Sequence, residues 1–513
     1  MNLPPGGGDR PASRTTTRPS LRDRPRLVPI AAGTVALLVL VLVGLSPVVP
    51  GLTLHRVRAD RAQPGGSPGT ARTGLTAAPG APGAPGAAVR LDQNVVEQVA
   101  RLLDQRAEAV LDGDRRLWLS TLDPGNPDFV HQQAALFDRL RLLPLKRWSY
   151  GGVTSRPDPA SGGTTRLVDV RLSYRLAADT RDVVREQHLV ARRWGTGWVL
   201  SGERADQQRD VWDLGPIAVA RGARSLVIGS TSQRGVLQRF AQETDAAAHR
   251  VDAAWGTRWP RTVVVVVPAD LRAMATVLGA RSPGGLNQVA AITFGDLGGG
   301  QAAGSADRVV INAAAFSAFG PLGRRVVLTH EVTHVATRAT TVADVPMWLQ
   351  EGFADYVAYR GTGLSRGVIA DDLLRLVRAG KGPQHLPDAQ DFDPSRSRIA
   401  PAYAGAWLAM DLIARTGGPR EVVAFYREAA GINPAADGEL GVQAAAGGNA
   451  AGAPAAVQGL SQVGVEEGTP VPSPSSSDGA TTRSAFHDVL GTDQAGFERR
   501  WRAYLAAVAR DDG

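Results

Sequence analysis

The chain has 513 residues, of which 43% are hydrophobic, and a net charge of +8 from 57 basic and 49 acidic side chains. This length exceeds what one compact core supports, so two or more domains are expected. Six arginines and two aspartates in residues 1–26 supply half of the net charge. The rest is not clustered as on a nucleic-acid-binding face, and we expect no nucleic-acid partner. Cysteine is absent, which excludes disulfides and thiolate metal sites, so a transition-metal site has to use histidine and carboxylate ligands.

The amino-terminal segment has the pattern of a membrane anchor. Residues 1–26, rich in Pro, Gly, Thr and Arg, are predicted to form a disordered cytoplasmic tail. Residues 27–49 follow without a charged side chain, and about 20 apolar residues suffice to cross a bilayer. The arginine excess before this segment predicts a single-pass cell-membrane protein with a cytoplasmic amino terminus and extracytoplasmic domains. A cleaved signal peptide is the alternative, although the apolar region is long for one and no small-residue cleavage site directly follows.

A linker and a first domain are predicted next. Residues 50–89, rich in Pro, Gly and Ala, are expected to act as a spacer. Residues 90–212 have helical periodicity at 95–111 and 129–143, followed by period-two strands at 168–176, 183–192 and 197–201. This order resembles the NTF2-like cone, in pattern and without a diagnostic motif. Such cones hold ligand or enzyme sites, or serve as accessory binding and dimerisation modules, and the sequence leaves its role open.

The second predicted domain covers residues 213–433 and has an α+β order with a small mixed sheet. We predict strands at 225–229, 262–267, 290–294 and 308–312, and helices at 236–256, 268–278 and from Pro321 onward. Residues 434–484, rich in Ala, Gly, Pro and Ser, are predicted to be a disordered insertion. Residues 485–513 are expected to form closing helices whose aromatic side chains pack into the core of this domain.

Two neighbouring helices carry the candidate chemistry. The first contains LTHEVTH at 328–334, in which His330 and His334 lie one helical turn apart on the same face. The opposite face of that helix is apolar and is expected to pack in the core. The second helix contains WLQEGFADY at 348–356, and its N-cap is predicted to be Asp344. Glu351 and Asp355 share one face of this second helix.

These residues fit a hydrolytic zinc site, which needs three protein ligands and an open position for water. His330, His334 and Glu351 provide a His₂Glu ligand set. Zinc lowers the pKa of its bound water to about 7, and Glu331 is placed to take the proton as general base. Asp355 is expected to orient one of the histidines, because ligating imidazoles usually donate their second nitrogen to a carboxylate.

At these residues the chain resembles the gluzincin zinc metallopeptidases, and more narrowly the peptidase MA-like domains of bacterial envelope proteins. The resemblance covers residues 215–430 and the C-terminal helix. It implies a thermolysin-like fold, a peptide or protein substrate, and zinc at His330, His334 and Glu351. It further implies that a Tyr on a later helix steadies the oxyanion, and Tyr403 is the best match, with core packing as the rival role. His385, in a predicted loop, is a weaker candidate for the oxyanion.

The chain also departs from that resemblance. The Gly-x-Met-x-Asn motif by which aminopeptidases of this clan grip a substrate's amino end is missing, and Gln350 stands where thermolysin-type enzymes have Asn. We therefore predict an endopeptidase whose extended substrate pairs with the strand at 308–312. The alternatives are a non-catalytic envelope binding or scaffold protein with a degenerate peptidase domain, and a zinc hydrolase acting on a non-peptide bond.

Overall fold

The structure is a computed structural model that describes residues 85–205, 207–280, 282–295, 306–393, 399–432 and 478–511. The predicted tail, the apolar segment 27–49 and most of the predicted linker lie outside these residues. Among the helices that are described, none is long and apolar enough to cross a membrane. Residues 85–89 and 478–484 were predicted to be linker and insertion, but both are helical. In the second case the reason is tertiary packing, because Ala485 and Phe486 on the same helix are buried in the core.

The first part of the described chain packs helices against an antiparallel sheet. Its strands lie in chain order: β1 (Leu145–Pro157), β2 (Thr165–Leu176), β3 (Val183–Trp194) and β4 (Gly197–Glu203). The predicted alternation along β2 is confirmed, since its five apolar side chains from Val168 to Leu176 are buried and the residues between them are more exposed. The tight turn at residues 194–197 joins β3 to β4 as predicted, whereas α2 and β1 were not predicted. The NTF2-like resemblance stays a prediction. The helices are α1 (Pro85–Asp112), α2 (Arg115–Ser120) and α3 (Pro127–Leu140).

The second part contains a five-stranded sheet, with two helices between its strands and the remaining helices after it. Its elements are β5 (Ile217–Arg221), β6 (Ser225–Ser230), α4 (Arg234–Trp255), β7 (Val263–Val267), α5 (Leu271–Val277), β8 (Ala291–Phe294), β9 (Arg308–Ile311), α6 (Ala313–Ala318), α7 (Pro321–Arg338), α8 (Met347–Tyr359), α9 (Arg366–Ile369), α10 (Asp371–Arg378), α11 (Ala400–Gly417), α12 (Pro419–Ala429), α13 (Asp478–Asp488) and α14 (Gln494–Asp511). Mixed α+β architecture is therefore confirmed.

The order of this sheet corrects the predicted substrate-binding strand. The strands run β5-β6-β7-β9-β8, with β6, β7 and β9 parallel to one another and the two outer strands antiparallel to their neighbours. Strand β9, which includes most of residues 308–312, is therefore paired on both sides and has no free edge for a peptide. The prediction was wrong because strand order depends on long-range contacts that the order of the chain does not contain. Among the described strands, β8 forms that edge of the sheet.

Both faces of the five-stranded sheet are covered. Val263, Val265 and Val267 point to one face and share a hydrophobic core with α4, α7 and α8. Val264 and Val266 point to the other face, in a core that also contains side chains of the first part, including Tyr174 and Trp212. The five valines 263–267 therefore form a strand that is buried on both faces, as their continuous apolar run predicts, while Thr262 lies just before it. The first part of the chain therefore packs directly on the second part.

A buried ion pair stabilises the contact between the first and second parts of the chain. Arg308 on β9 donates to both carboxylate oxygens of Asp179, at 2.6 and 2.8 Å, and the two side chains are only 6% and 2% exposed. Asp179 lies in the connection between β2 and β3, and its second oxygen also accepts from the backbone N–H of Leu176. The pair thus joins the two sheets through a fully desolvated contact.

We expect Asp179→Ala to lower the free energy of unfolding by about 3–5 kcal/mol, because it leaves the Arg308 guanidinium buried without its counter-charge. Chemical denaturation of both proteins measures the difference. The matched control is Asp138→Ala, which breaks the exposed Arg115–Asp138 pair and should cost less than about 1 kcal/mol. Equal effects of the two substitutions would contradict the role given to the buried pair.

Helix α11 packs closely against α8, and α14 packs on α11. A Cβ on Gly352 would lie 2.5 Å from the carbonyl oxygen of Ala406 on α11, so only glycine allows the two helices to approach this far. Helix α14 covers α11 in turn, and the indole N–H of Trp501 donates to the Gly405 carbonyl at 3.2 Å. The predicted core role of the C-terminal aromatic side chains is confirmed, since Phe486, Phe497 and Trp501 all belong to the same core as α7 and α8.

Candidate metal centre

Helix α7 begins at Pro321, as predicted, and is buried on all sides from Val326 to Thr337. It contacts the sheet through β8 and lies against α4 and α8. The predicted apolar face is in the core, and the opposite face with His330 and His334 is buried as well. The threonine hydroxyls along the helix donate to carbonyls one turn earlier, for example Thr333 to Thr329 at 2.7 Å, which satisfies them without outside partners.

Helix α8 starts later than predicted. Its N-cap is Pro346, whose carbonyl accepts from the backbone N–H groups of Leu349 and Gln350 at 2.9 and 3.1 Å. Asp344 lies two residues before this cap, too early to cap the first turn, so that prediction was wrong. The shift leaves the spacing of the chemistry unchanged, and Glu351 and Asp355 both face α7.

The structure brings three predicted ligand atoms together in a buried cluster. The Nε2 atoms of His330 and His334 are 3.0 Å apart. Oε2 of Glu351 lies 3.3 Å from Nε2 of His330 and 3.7 Å from Nε2 of His334. With metal–ligand bonds of about 2.05 Å and tetrahedral angles, two ligand atoms of one zinc ion are roughly 3.3 Å apart. The three separations therefore match the edges of a zinc coordination tetrahedron.

The charges and the unsatisfied atoms of the cluster also fit a cation. Glu331, Glu351 and Asp355 place three carboxyl groups in one buried region, which is costly without positive charge. Within the described chain, both carboxylate oxygens of Glu351 and Oε1 of Glu331 are buried without a hydrogen-bond donor. Buried acceptors almost always have a partner, and a divalent cation would supply one here. With two imidazoles and one carboxylate, the donor set is that of catalytic zinc.

Asp355 has the position predicted for an orienting carboxylate. Its Oδ1 lies 2.8 Å from Nδ1 of His330, which leaves Nε2 of the same ring directed toward the cluster. Burial lowers the pKa of His330, but Asp355 and Glu351 outweigh it and raise this pKa to about 10. The two carboxylates therefore favour positive charge next to the His330 ring, which a metal ion at Nε2 would supply.

We expect Asp355→Asn to weaken zinc binding by about 10- to 100-fold, because the His330 ring loses its charged partner while the three ligands remain. Competition with a chromogenic zinc chelator measures the affinity. Asp138→Asn, at an exposed position, provides the matched control. Unchanged zinc affinity in Asp355→Asn would mean that Asp355 does not support the site.

Glu331 lies between the ligand histidines and the sheet. Its Oε2 accepts a hydrogen bond of 2.6 Å from the hydroxyl of Thr293 on β8, and the whole side chain is buried. Burial raises the pKa of Glu331 above its usual value, which favours a group that takes up a proton and releases it again. The sequence reasoning missed Thr293, because a threonine in a strand is ordinary and nothing local to the motif indicates the contact.

The two candidates for the oxyanion lie outside the ligand helices. Tyr403 is on α11, half-buried, with its ring 5.1 Å from that of Phe392 in a perpendicular arrangement. It packs against both hydrophobic cores, so the packing role is confirmed, whereas its part in catalysis stays a prediction. His385 is in the connection after α10, where its Nδ1 lies 3.0 Å from the Leu386 carbonyl.

Comparisons with known proteins find similarity only among solved structures. No protein-family description matches the chain, and no curated protein matches it. An M1 zinc metallopeptidase of Deinococcus radiodurans, bound to a Tyr-Ser-Ala substrate, is 15% identical over 61% of this chain and 58% of its own, with a TM-score of 0.29. Yeast LTA4 hydrolase is 16% identical over 46% of this chain and 37% of its own, with a TM-score of 0.27. The chain thus spans less than two thirds of the length of either.

Proposed function

We propose that the protein is a zinc-dependent peptidase that hydrolyses peptide bonds with Glu331 as the general base. The observation that carries this proposal is the convergence of His330, His334 and Glu351 at ligand distances, in a buried cluster. A structural histidine pair would not need two further buried carboxyl groups beside it. A bound zinc ion would acidify a coordinated water and polarise the scissile carbonyl.

The residues around the ligands divide the remaining work. Glu331 takes the proton from the attacking water and returns it to the amine that leaves when the peptide bond breaks. The Thr293 hydroxyl fixes one carboxylate oxygen of Glu331, so that the other oxygen, which has no donor within the described chain, is free to accept that proton. Asp355 fixes the tautomer and orientation of His330. Tyr403 is our candidate for holding the developing oxyanion.

The substrate is proposed to be an extended peptide chain. Strand β8 is the outermost of the described strands on its side of the sheet and carries Thr293, which contacts the proposed general base. Among the described strands, none pairs with the outer side of β8, and a peptide that pairs there by strand addition would run beside the metal centre. The missing amino-terminal gripping motif favours cleavage within a chain, and we propose an endopeptidase.

The location of the enzyme is also a proposal. Residues 27–49 would anchor it in the cytoplasmic membrane, with residues 85–511 on the extracytoplasmic side. We further propose that the first domain has an NTF2-like fold and acts as an accessory module. It packs on the face of the five-stranded sheet opposite α4, α7 and α8, which supports a fixed position beside the proposed peptidase domain.

The function is tested by incubating the purified full-length protein with a peptide library and identifying new termini by mass spectrometry, alongside a measurement of zinc content. We expect one zinc ion per chain and cleavage within the peptides that a zinc chelator abolishes. Stoichiometric zinc without any cleaved peptide bond would contradict the peptidase proposal while leaving the metal site intact. Absence of zinc would contradict both and favour a binding or scaffold protein.

We expect Thr293→Val to lower kcat about 10-fold with little change in KM, because a buried hydrogen bond to a charged group is worth about 1.5–3 kcal/mol and acts on Glu331 alone. Thr293→Ser keeps the hydroxyl and should retain most of the activity. Steady-state kinetics on the best peptide from the library measure both values. Equal activity of the serine and valine variants would show that the hydroxyl is not needed.

A further inference from the structure

A second concave site lies on α8 and α11, apart from the metal ligands. We name it the α8–α11 cavity, and its volume is ≈ 280 Å³. Aromatic side chains and charged groups share its wall, and none of His330, His334 or Glu351 lines it. The lining residues used below are Tyr356, Tyr359, Arg360, Arg366, Trp407 and Asp411. The volume approaches the lower end of the range of small-molecule sites, roughly 300 Å³.

The aromatic wall contains polar groups that the protein itself does not use. Trp407 is only 6% exposed, and throughout the described residues its indole N–H has no hydrogen-bond acceptor. The Trp407 side chain lines the cavity. The hydroxyl of Tyr359, whose ring stands 5.9 Å from that of Trp407, likewise has no partner in the parts of the chain that are described. Buried indole N–H and phenol groups usually find a partner, which here would be a ligand.

The charges favour an anion. Asp411 is already neutralised, since it accepts from Nε of Arg366 at 2.6 Å and also from the hydroxyl of Tyr504. Arg360 is exposed and forms no ion pair within the described part of the chain, so the cavity carries one uncompensated positive charge. Burial and the nearby Asp355 carboxylate raise the pKa of Tyr359, so its phenol keeps its proton and can donate. A guanidinium, an indole N–H and a phenol O–H make a donor-rich site.

We propose that the α8–α11 cavity binds a small aromatic carboxylate, with its ring against Tyr359 and Trp407 and its carboxylate on Arg360 and the Trp407 indole N–H. Two aromatic walls suit a planar apolar body, and a guanidinium with further donors suits a carboxylate. The site does not depend on the metal. It is a separate site, although it lies on the same helix, α8, as the proposed ligand Glu351 and the orienting Asp355.

The probes for this site are benzoate, neutral benzamide and cationic benzylamine, titrated by ligand-observed NMR against the full-length protein in detergent. A ligand of this size has limited affinity, and we expect saturable benzoate binding with a Kd of about 1 mM. Benzamide and benzylamine should bind at least about tenfold more weakly, since they lack the charge that complements Arg360. Benzoate should bind equally to zinc-loaded and chelator-treated protein.

Two variants locate the binding. Arg360→Gln removes an exposed charge and should weaken benzoate about tenfold, whereas Arg116→Gln, the same change at an exposed position of the first domain, should have no effect. Trp407→Phe keeps an aromatic ring and should weaken benzoate about fivefold by removing the N–H. The proposal is overturned by lack of saturation, by equal binding in Arg360→Gln, by benzylamine binding as tightly as benzoate, or by binding that requires zinc.

Discussion

Glu331→Gln is expected to abolish peptide hydrolysis while zinc stays bound. Glutamine has nearly the same shape, so the hydrogen bond from Thr293 to Oε2 can be kept with the amide oxygen in its place. It cannot take a proton, however, and general-base catalysis contributes about 10²- to 10⁴-fold to rate. We therefore expect kcat to fall by at least about 10³-fold, with KM changed by less than about threefold, because Glu331 is proposed to act on the water and not on the substrate.

The matched control is Glu108→Gln, the same substitution at an exposed position on α1, and it should leave both constants unchanged. Zinc content by mass spectrometry and steady-state kinetics on a library-derived peptide give the two readouts. Activity in Glu331→Gln at the parent level would remove the general base from the mechanism. Zinc loss together with activity loss would instead assign Glu331 a role in holding the metal.

The inactive variant would also identify natural substrates. If Glu331→Gln retains zinc and the parent fold, it should bind peptides without cleaving them, and crosslinking in the membrane would then capture the bound chain. A captured protein that the parent enzyme cleaves at the crosslinked segment would connect site and substrate. Capture of the same proteins by a Glu331→Gln, His334→Ala double variant would show that the contacts are unrelated to the metal centre.

The local parts of the site were predictable from sequence, and the long-range parts were not. His330 and His334 share a face because a helix turns once in 3.6 residues, and the structure keeps that spacing. Glu351 and Asp355 follow the same rule on α8, even though the start of this helix was misplaced at Asp344. Contacts such as Thr293 to Glu331 join residues 38 positions apart, and no periodicity predicts them.

The arrangement of the sheet gives the second lesson. The apolar run at 262–267 predicted a strand, and its continuous character indicated a buried one. It did not indicate what covers the second face, which is α5 together with the first part of the chain, the latter held by the Arg308–Asp179 ion pair. The same limit explains the error at 308–312, because the position of β8 beside β9 is a property of the folded sheet.

Removing the proposed zinc ion is expected to abolish the proposed peptidase activity and to destabilise the fold. We expect His334→Ala to lose the zinc and to lower kcat/KM by at least about 10³-fold, since a catalytic zinc site needs three protein ligands and only two would remain. A metal present at 1,000 times its Kd stabilises the folded state by about 4.1 kcal/mol. Chelation should therefore lower the melting temperature of the parent protein by about 10 °C, and added zinc should restore both stability and activity.

The control variant for this experiment is His131→Ala, at an exposed position on α3, which should keep the zinc, the activity and the response to chelation. In His334→Ala the melting temperature should already be low and should no longer respond to the chelator. A melting temperature that chelation leaves unchanged in the parent would contradict the charge argument, because the three buried carboxyl groups would then tolerate the absence of a cation. A normal zinc content in His334→Ala would place the metal elsewhere. The distances of 3.0, 3.3 and 3.7 Å between the three proposed ligand atoms place them around one ion. We therefore expect both the zinc and the chelator response to be lost in His334→Ala and kept in His131→Ala.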